Sequence, residues 1–174
     1  MAPTIDSSGR YLFKLPLDNG AIPFIDLDDI AGYIHWALSN PERSNGLDLG
    51  VATVHASGID VADAFKRTTG KPAQYVNQAI EEWQKSTWGK LPNGPDTKVG
   101  FLSVQDNGAL LQTYGENFTN WWNLYKESGD NKGLIKRDYE ALDKILPNRI
   151  KSVTEWMEKV KYTGPRAHTI PKMD

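Results

Sequence analysis

The side chains of this sequence best suited to chemistry are its histidines, one run of aspartates and an unusual density of aromatic rings. His35 stands beside Trp36 in a helical run, His55 follows an apolar stretch, and His168 lies near the end of the chain. A neutral imidazole is a ready general base, so His35 and His55 are candidate catalytic bases, with Asp28 a candidate acid–base partner. The competing role for each histidine is structural. No two of them stand at metal-ligand spacing, and none has a serine and carboxylate arranged as a triad. Asp26, Asp28 and Asp29 form the densest acidic cluster. A calcium loop would need an oxygen ligand at Ile30 and a glycine at Ala31, so no metal site is expected there. Capping a helix, worth about 1 kcal/mol, accounts for these carboxylates without any ligand.

Trp83, Trp88, Trp121, Trp122 and Tyr125 form the second group. Adjacent residues on a helix are about 100° apart, so Trp121 and Trp122 cannot share one packing face. One of them needs a second apolar environment, either another helix or the wall of a small-molecule pocket. In the second case Trp88, Trp121, Trp122 and Tyr125 contact the ligand, and the loop Thr87–Lys98, rich in glycine and proline, covers it. These rings are not interleaved with basic residues, as a nucleic-acid stacking surface would require.

The elements that must position these groups follow from periodicity and turn chemistry. Tyr11–Leu17 reads as a strand, Asp18-Asn19-Gly20 as a turn, and Ile22–Ile25 as a second short strand. Asp26 or Asp28 caps a helix whose inward face is Ile30, Ile34, Ala37 and Leu38, ended by Asn40-Pro41. Leu47–Val54 (LDLGVATV) reads as a buried strand. Ser57 opens a helix with Val61, Ala62 and Phe65 inward and Gly70 at its end. Ala73–Val76 is a short strand, and Asn77 caps a helix through about Lys85. Beyond the loop the chain is mostly helical. Leu111, Tyr114, Phe118, Trp121 and Tyr125 form an aromatic stripe; Tyr139, Leu142 and Leu146 lie on a short helix, and Ser152 opens a last one with Val153, Met157 and Val160 inward. The expected fold class is therefore α/β, followed by a mostly helical lobe. Residues 1–86 form the α/β part, 87–164 the helical lobe and 165–174 a loose tail, all in one continuous domain.

Composition removes several function classes. A net charge of −2 supplies no field for nucleic acid or an anionic membrane. The chain has no cysteine, so thiolate nucleophiles, thiolate metal sites and disulfides are excluded. No apolar run approaches the roughly 20 residues that span a bilayer, and MAPTIDSSGR lacks the features of a secretory signal. The cytoplasm is the default expectation. No glycines stand at G-x-G-x-x-G spacing and no G-x-x-x-x-G-K-[ST] loop occurs, so a pyrophosphate cradle is not evident. Tyr11 and Lys14 have the wrong spacing for a Tyr-x-x-x-Lys pair.

Five segments carry a family resemblance: Pro23-Phe24-Ile25-Asp26, Asp29-Ile30-Ala31-Gly32, Leu146-Pro147-Asn148-Arg149-Ile150, Glu155-Trp156-Met157 and Tyr162-Thr163-Gly164. Through them the chain, from about Gly9 to Gly164, resembles the NmrA-like family of atypical short-chain dehydrogenase/reductase relatives. The resemblance implies the C-terminal strands of a Rossmann-like, doubly wound sheet with a substrate-side lobe, and it implies NAD(P) in full-length relatives. The N-terminal nucleotide-binding half has no counterpart in this sequence, so no cofactor is expected for this chain. The leading expectation is a small-molecule binding or regulatory module without intrinsic redox activity. Two alternatives stay open: part of an NAD(P)-dependent oxidoreductase, or a cofactor-free isomerase, cyclase or dehydratase using the aromatic pocket. A strand at Leu47–Val54 with no sheet beside it would expose an edge, to be covered by a second copy or another partner.

Overall fold

The computed structural model describes residues 2–99 and 111–164. The expected tail 165–174, with His168, lies outside them. The elements run β1 (Thr4–Ile5), β2 (Tyr11–Leu15), β3 (Ile22–Phe24), α1 (Leu27–Ser39), α2 (Pro41–Ser44), β4 (Val54–Ala56), α3 (Gly58–Thr69), β5 (Ala73–Asn77), α4 (Ile80–Trp88), α5 (Tyr114–Lys126), α6 (Tyr139–Ile145) and α7 (Val153–Lys159), with two short 3-10 turns. The architecture is mixed α/β. β2 is flanked by β1, antiparallel, and by β5, parallel, in register Tyr11↔Ala73 to Leu15↔Asn77. β3 and β4 make a separate antiparallel pair with Phe24 opposite Val54.

α3 is the hub. Ser57 and Asp60 close its first turn in a reciprocal capping box, and Gly70 ends it at φ 68°. Val61, Ala62, Ala64 and Phe65 are its buried face, and they meet Phe13 of β2, Ala73 of β5 and Met157 of α7 in one core cluster. A second cluster joins Leu15, Leu17 and Ile22 to Trp122 of α5, with Trp83 of α4 and Tyr125 packed against it. Among the described residues no helix is long and apolar enough to cross a membrane.

Several local expectations are corrected. Residues 47–53 form no strand; only Val54–Ala56 does. A buried strand there would need neighbours for its carbonyls, and a side chain supplies them instead. The Arg149 guanidinium donates to the carbonyls of Thr53 (2.7 Å) and Ala52 (3.3 Å), while the Thr53 amide donates to the Phe24 carbonyl. The edge expected at Leu47–Val54 therefore does not form. The inward face of α1 is also different. Tyr33 is buried at 3% exposure beside Asp29, whereas Ile34 is 55% and Leu38 78% exposed. Hydrophobic periodicity alone could not place the core face, because Leu27, Ala31, Ile34 and Leu38 make an equally regular stripe on the other side. Asn77 ends β5 rather than capping α4, whose N-cap is Ala79; the Asn77 side-chain oxygen accepts from the Asp18 amide instead.

Candidate functional site

The segments that carry the family resemblance, far apart in sequence, converge in space. Asp29 accepts a hydrogen bond from the Ile150 amide (3.0 Å), tying the start of α1 to the segment before α7. Arg149 is buried, and its Nε donates to Asp143 at 2.7 Å. These bonds set α7 against the end of β3, and between the two elements lies a cavity of about 450 Å³. Phe13 and Val61 line its inner side, Phe24 and Val54 the strand side, and Val153, Trp156 and Met157 the α7 side. Its size falls within the range of small-molecule sites, and its walls are mostly apolar, as such sites are.

The polar part of this site is at the start of α1. Asp26 occupies the N-cap position in an extended conformation, yet its carboxylate makes no bond to its own helix. The Asp26 amide donates to Thr53 Oγ1 (2.9 Å), and the carboxylate is buried. Lys159, in the last turn of α7, reaches across and places Nζ 2.6 Å from both Asp26 Oδ2 and Asp28 Oδ2. Those two carboxylates push the Lys159 ammonium well above the usual lysine range. Asp29, one turn deeper, is shifted upward by burial, against the opposing pull of the Ile150 amide. The aspartates expected to cap a helix thus cross-link it to α7 instead. Lys159 carried no signal in the sequence, since a lysine in the last turn of a helix is ordinary.

The other candidates lie elsewhere. His35 is exposed on α1. Val54 faces the cavity, so alternation along β4 turns His55 to the opposite side. There a hydrogen bond of 2.7 Å joins His55 Nδ1 and the Tyr139 hydroxyl, and Arg149 lies over the Tyr139 ring. Burial lowers the His55 pKa, and the Arg137 guanidinium lowers it further. The fold therefore favours the neutral imidazole, and the unfolded chain takes up a proton first as pH falls. The stabilisation at His55 is complete above the ordinary imidazole pKa of about 6.5 and is lost as pH falls below it. Thermal melts between neutral pH and mild acid should show a decline in wild type that is smaller in His55→Gln. Equal slopes would show that His55 does not titrate with unfolding.

The aromatic residues pack on one another. Trp83 of α4 meets Trp122 (5.3 Å), Phe118 (5.9 Å) and Trp88 (6.3 Å), and Trp88 stacks on Tyr114 at 4.9 Å. Trp122 is the buried member of the adjacent pair, at 3% exposure, and its second environment is α4. Trp121 lies at the surface against Tyr125, 4.5 Å between ring centres. Trp88 and Trp122 thus hold α4 and α5 together, Trp121 packs within α5, Tyr125 packs against the second core cluster, and none of the four lines the cavity beside α7. Among the described residues no group of acidic or histidine side chains could hold a metal ion.

Among the described residues, the turn before α3 does not suit a dinucleotide pyrophosphate. The strand–turn–helix unit most like a phosphate turn is β4–Ser57–Gly58–α3. The capping box there takes the Ser57 and Asp60 amides and sets the Asp60 carboxylate at the helix start, where it would repel a phosphate. A Cβ at Gly58 would lie 2.2 Å from the Tyr75 ring, so this glycine admits a side chain rather than a phosphate.

Comparison with known proteins agrees with this architecture. No protein-family model matches the chain. NAD(P)H azoreductase of Xenophilus azovorans is 31% identical over 77 residues, or 44% of this chain and 27% of that protein. The crystal structure of NmrA, a negative transcriptional regulator, in complex with NADP matches with a TM-score of 0.52 at 15% identity, covering 90% of this chain and 47% of NmrA. NmrA in complex with NAD gives the same values. The chain spans about half the length of NmrA. At this identity the likeness shows the fold: the chain has the Rossmann-like α/β architecture of part of NmrA.

Proposed function

We propose that this chain is the ligand-recognition part of an NmrA-like protein, binding a small, largely apolar molecule in the cavity between β3, α1 and α7. The observation that carries the reading is the cavity itself: about 450 Å³, mostly apolar walls, and a buried carboxylate at its edge. Nucleotide binding is not assigned to these residues, because among the described residues the turn most like a phosphate turn is occupied by Asp60 and Tyr75. Calorimetric titration with naphthalenemethanol tests the reading. Saturable binding is expected, and Val153→Phe, which fills the cavity from α7, should weaken it about tenfold or more, some 1.4 kcal/mol. A folded Val153→Phe protein that binds as wild type would overturn it.

The azoreductase likeness favours a second reading, in which the chain is part of an NAD(P)-dependent oxidoreductase. Micromolar binding of NADP to this chain would put that reading first.

A further inference from the structure

We infer that the cavity selects amphiphilic amines: ligands with an apolar body and a protonated amine head that is received by Asp26 and Asp28. The inference rests on the ligand-binding reading above and adds the chemistry of the head group. Both carboxylates line the cavity, whose remaining walls are mostly apolar. The Asp26 side chain is 6% exposed, so it is a desolvated acceptor at the apolar edge; the Asp28 side chain is 80% exposed and faces the entrance.

The charges do not cancel there. Asp143 pairs with both Arg149 and Lys151, and Asp29 accepts from the Ile150 amide. Among the described residues Asp26 and Asp28 form ion pairs with Lys159 only, two carboxylates to one ammonium. An ionised carboxylate accepts hydrogen bonds and donates none. A ligand head must therefore donate, and a cationic donor gains most from an unbalanced pair with little water around it. An anionic head would meet two carboxylates to reach one ammonium. Lys159 is itself the model for the ligand: an ammonium on an aliphatic stem, bridging the two acids at 2.6 Å. Its side chain is 37% exposed and can turn out into water when another ammonium takes its place.

Three probes of one shape separate the outcomes: naphthylmethylamine, naphthalenemethanol and naphthoate, titrated calorimetrically into the whole chain at neutral pH. The amine should bind about tenfold or more tighter than the alcohol, the scale of a charge-assisted hydrogen bond, and the anion weakest. Asp28→Asn, which removes the charge and keeps an acceptor oxygen, should remove most of that preference. Lys159→Met should tighten amine binding by removing the competing ammonium. Alcohol binding with no preference for the amine would overturn the head-group inference and leave the cavity reading standing. Tightest binding by naphthoate would overturn it in favour of Lys159 as the receiving group. Binding of none of the three would overturn both.

Discussion

Replacing Arg149 with alanine is expected to cost about 3–5 kcal/mol of folding stability, because it takes the donor from several buried backbone carbonyls at once. The guanidinium is buried and satisfies four acceptors: Asp143 through Nε, and the Ala52, Thr53 and Ile150 carbonyls through Nη1. The Ala52 and Thr53 carbonyls belong to a segment with no strand alongside to receive them. Removing the side chain leaves them buried without a donor, and each such loss costs about 1–3 kcal/mol. Lysine is no substitute, since one ammonium cannot reproduce the planar fork that serves carboxylate and carbonyls together. Urea unfolding of wild type, Arg149→Ala and Arg149→Lys is the measurement. Arg149→Ala should show the full loss, with Arg149→Lys intermediate. A loss below about 1 kcal/mol would mean that water replaces the guanidinium without penalty.

That arginine also shows where the sequence was legible. The capping box of α3, its inward face and its glycine terminus are local features, and each appears where local chemistry places it. LDLGVATV has strand composition, but a strand also needs neighbours. Here a guanidinium contributed from nearly a hundred residues away satisfies the backbone instead. The same holds for α1, where two stripes are apolar enough to be the core face and tertiary packing chooses the one with Tyr33. Asp26 shows the limit for the site. Its position at a helix start was readable, but its partner Lys159 was not, because nothing in an isolated sequence joins a carboxylate to an ammonium 133 positions later. The aromatic residues stood out by density, and they form a helix-to-helix contact. The cavity is built from scattered valines, phenylalanines and a methionine, whose common wall appears only once α7 is set against β3.

Truncating Phe65 to alanine is expected to cost about 3–5 kcal/mol, the range for emptying a buried aromatic site. Phe65 is fully buried and is the hub where three layers meet. Its ring contacts Tyr11 (4.8 Å) and Phe13 (5.5 Å) on β2, and Tyr162 (5.9 Å) beyond α7. In a domain of this size each kcal/mol moves the melting temperature by about 2–4 °C, so the melt should fall by roughly 6–20 °C. Phe65→Leu retains most of the volume and should cost clearly less, which separates loss of packing from loss of the ring contacts. The consequence reaches the site, because Phe13 and Met157 are both neighbours of Phe65 in the core and walls of the cavity. A void behind them lets those walls relax inward. Naphthalenemethanol binding to Phe65→Leu, measured well below its melt, should therefore weaken even where the protein remains folded. Unchanged binding in Phe65→Leu would mean that the cavity is shaped by α7 and β3 alone, with α3 serving only as their support.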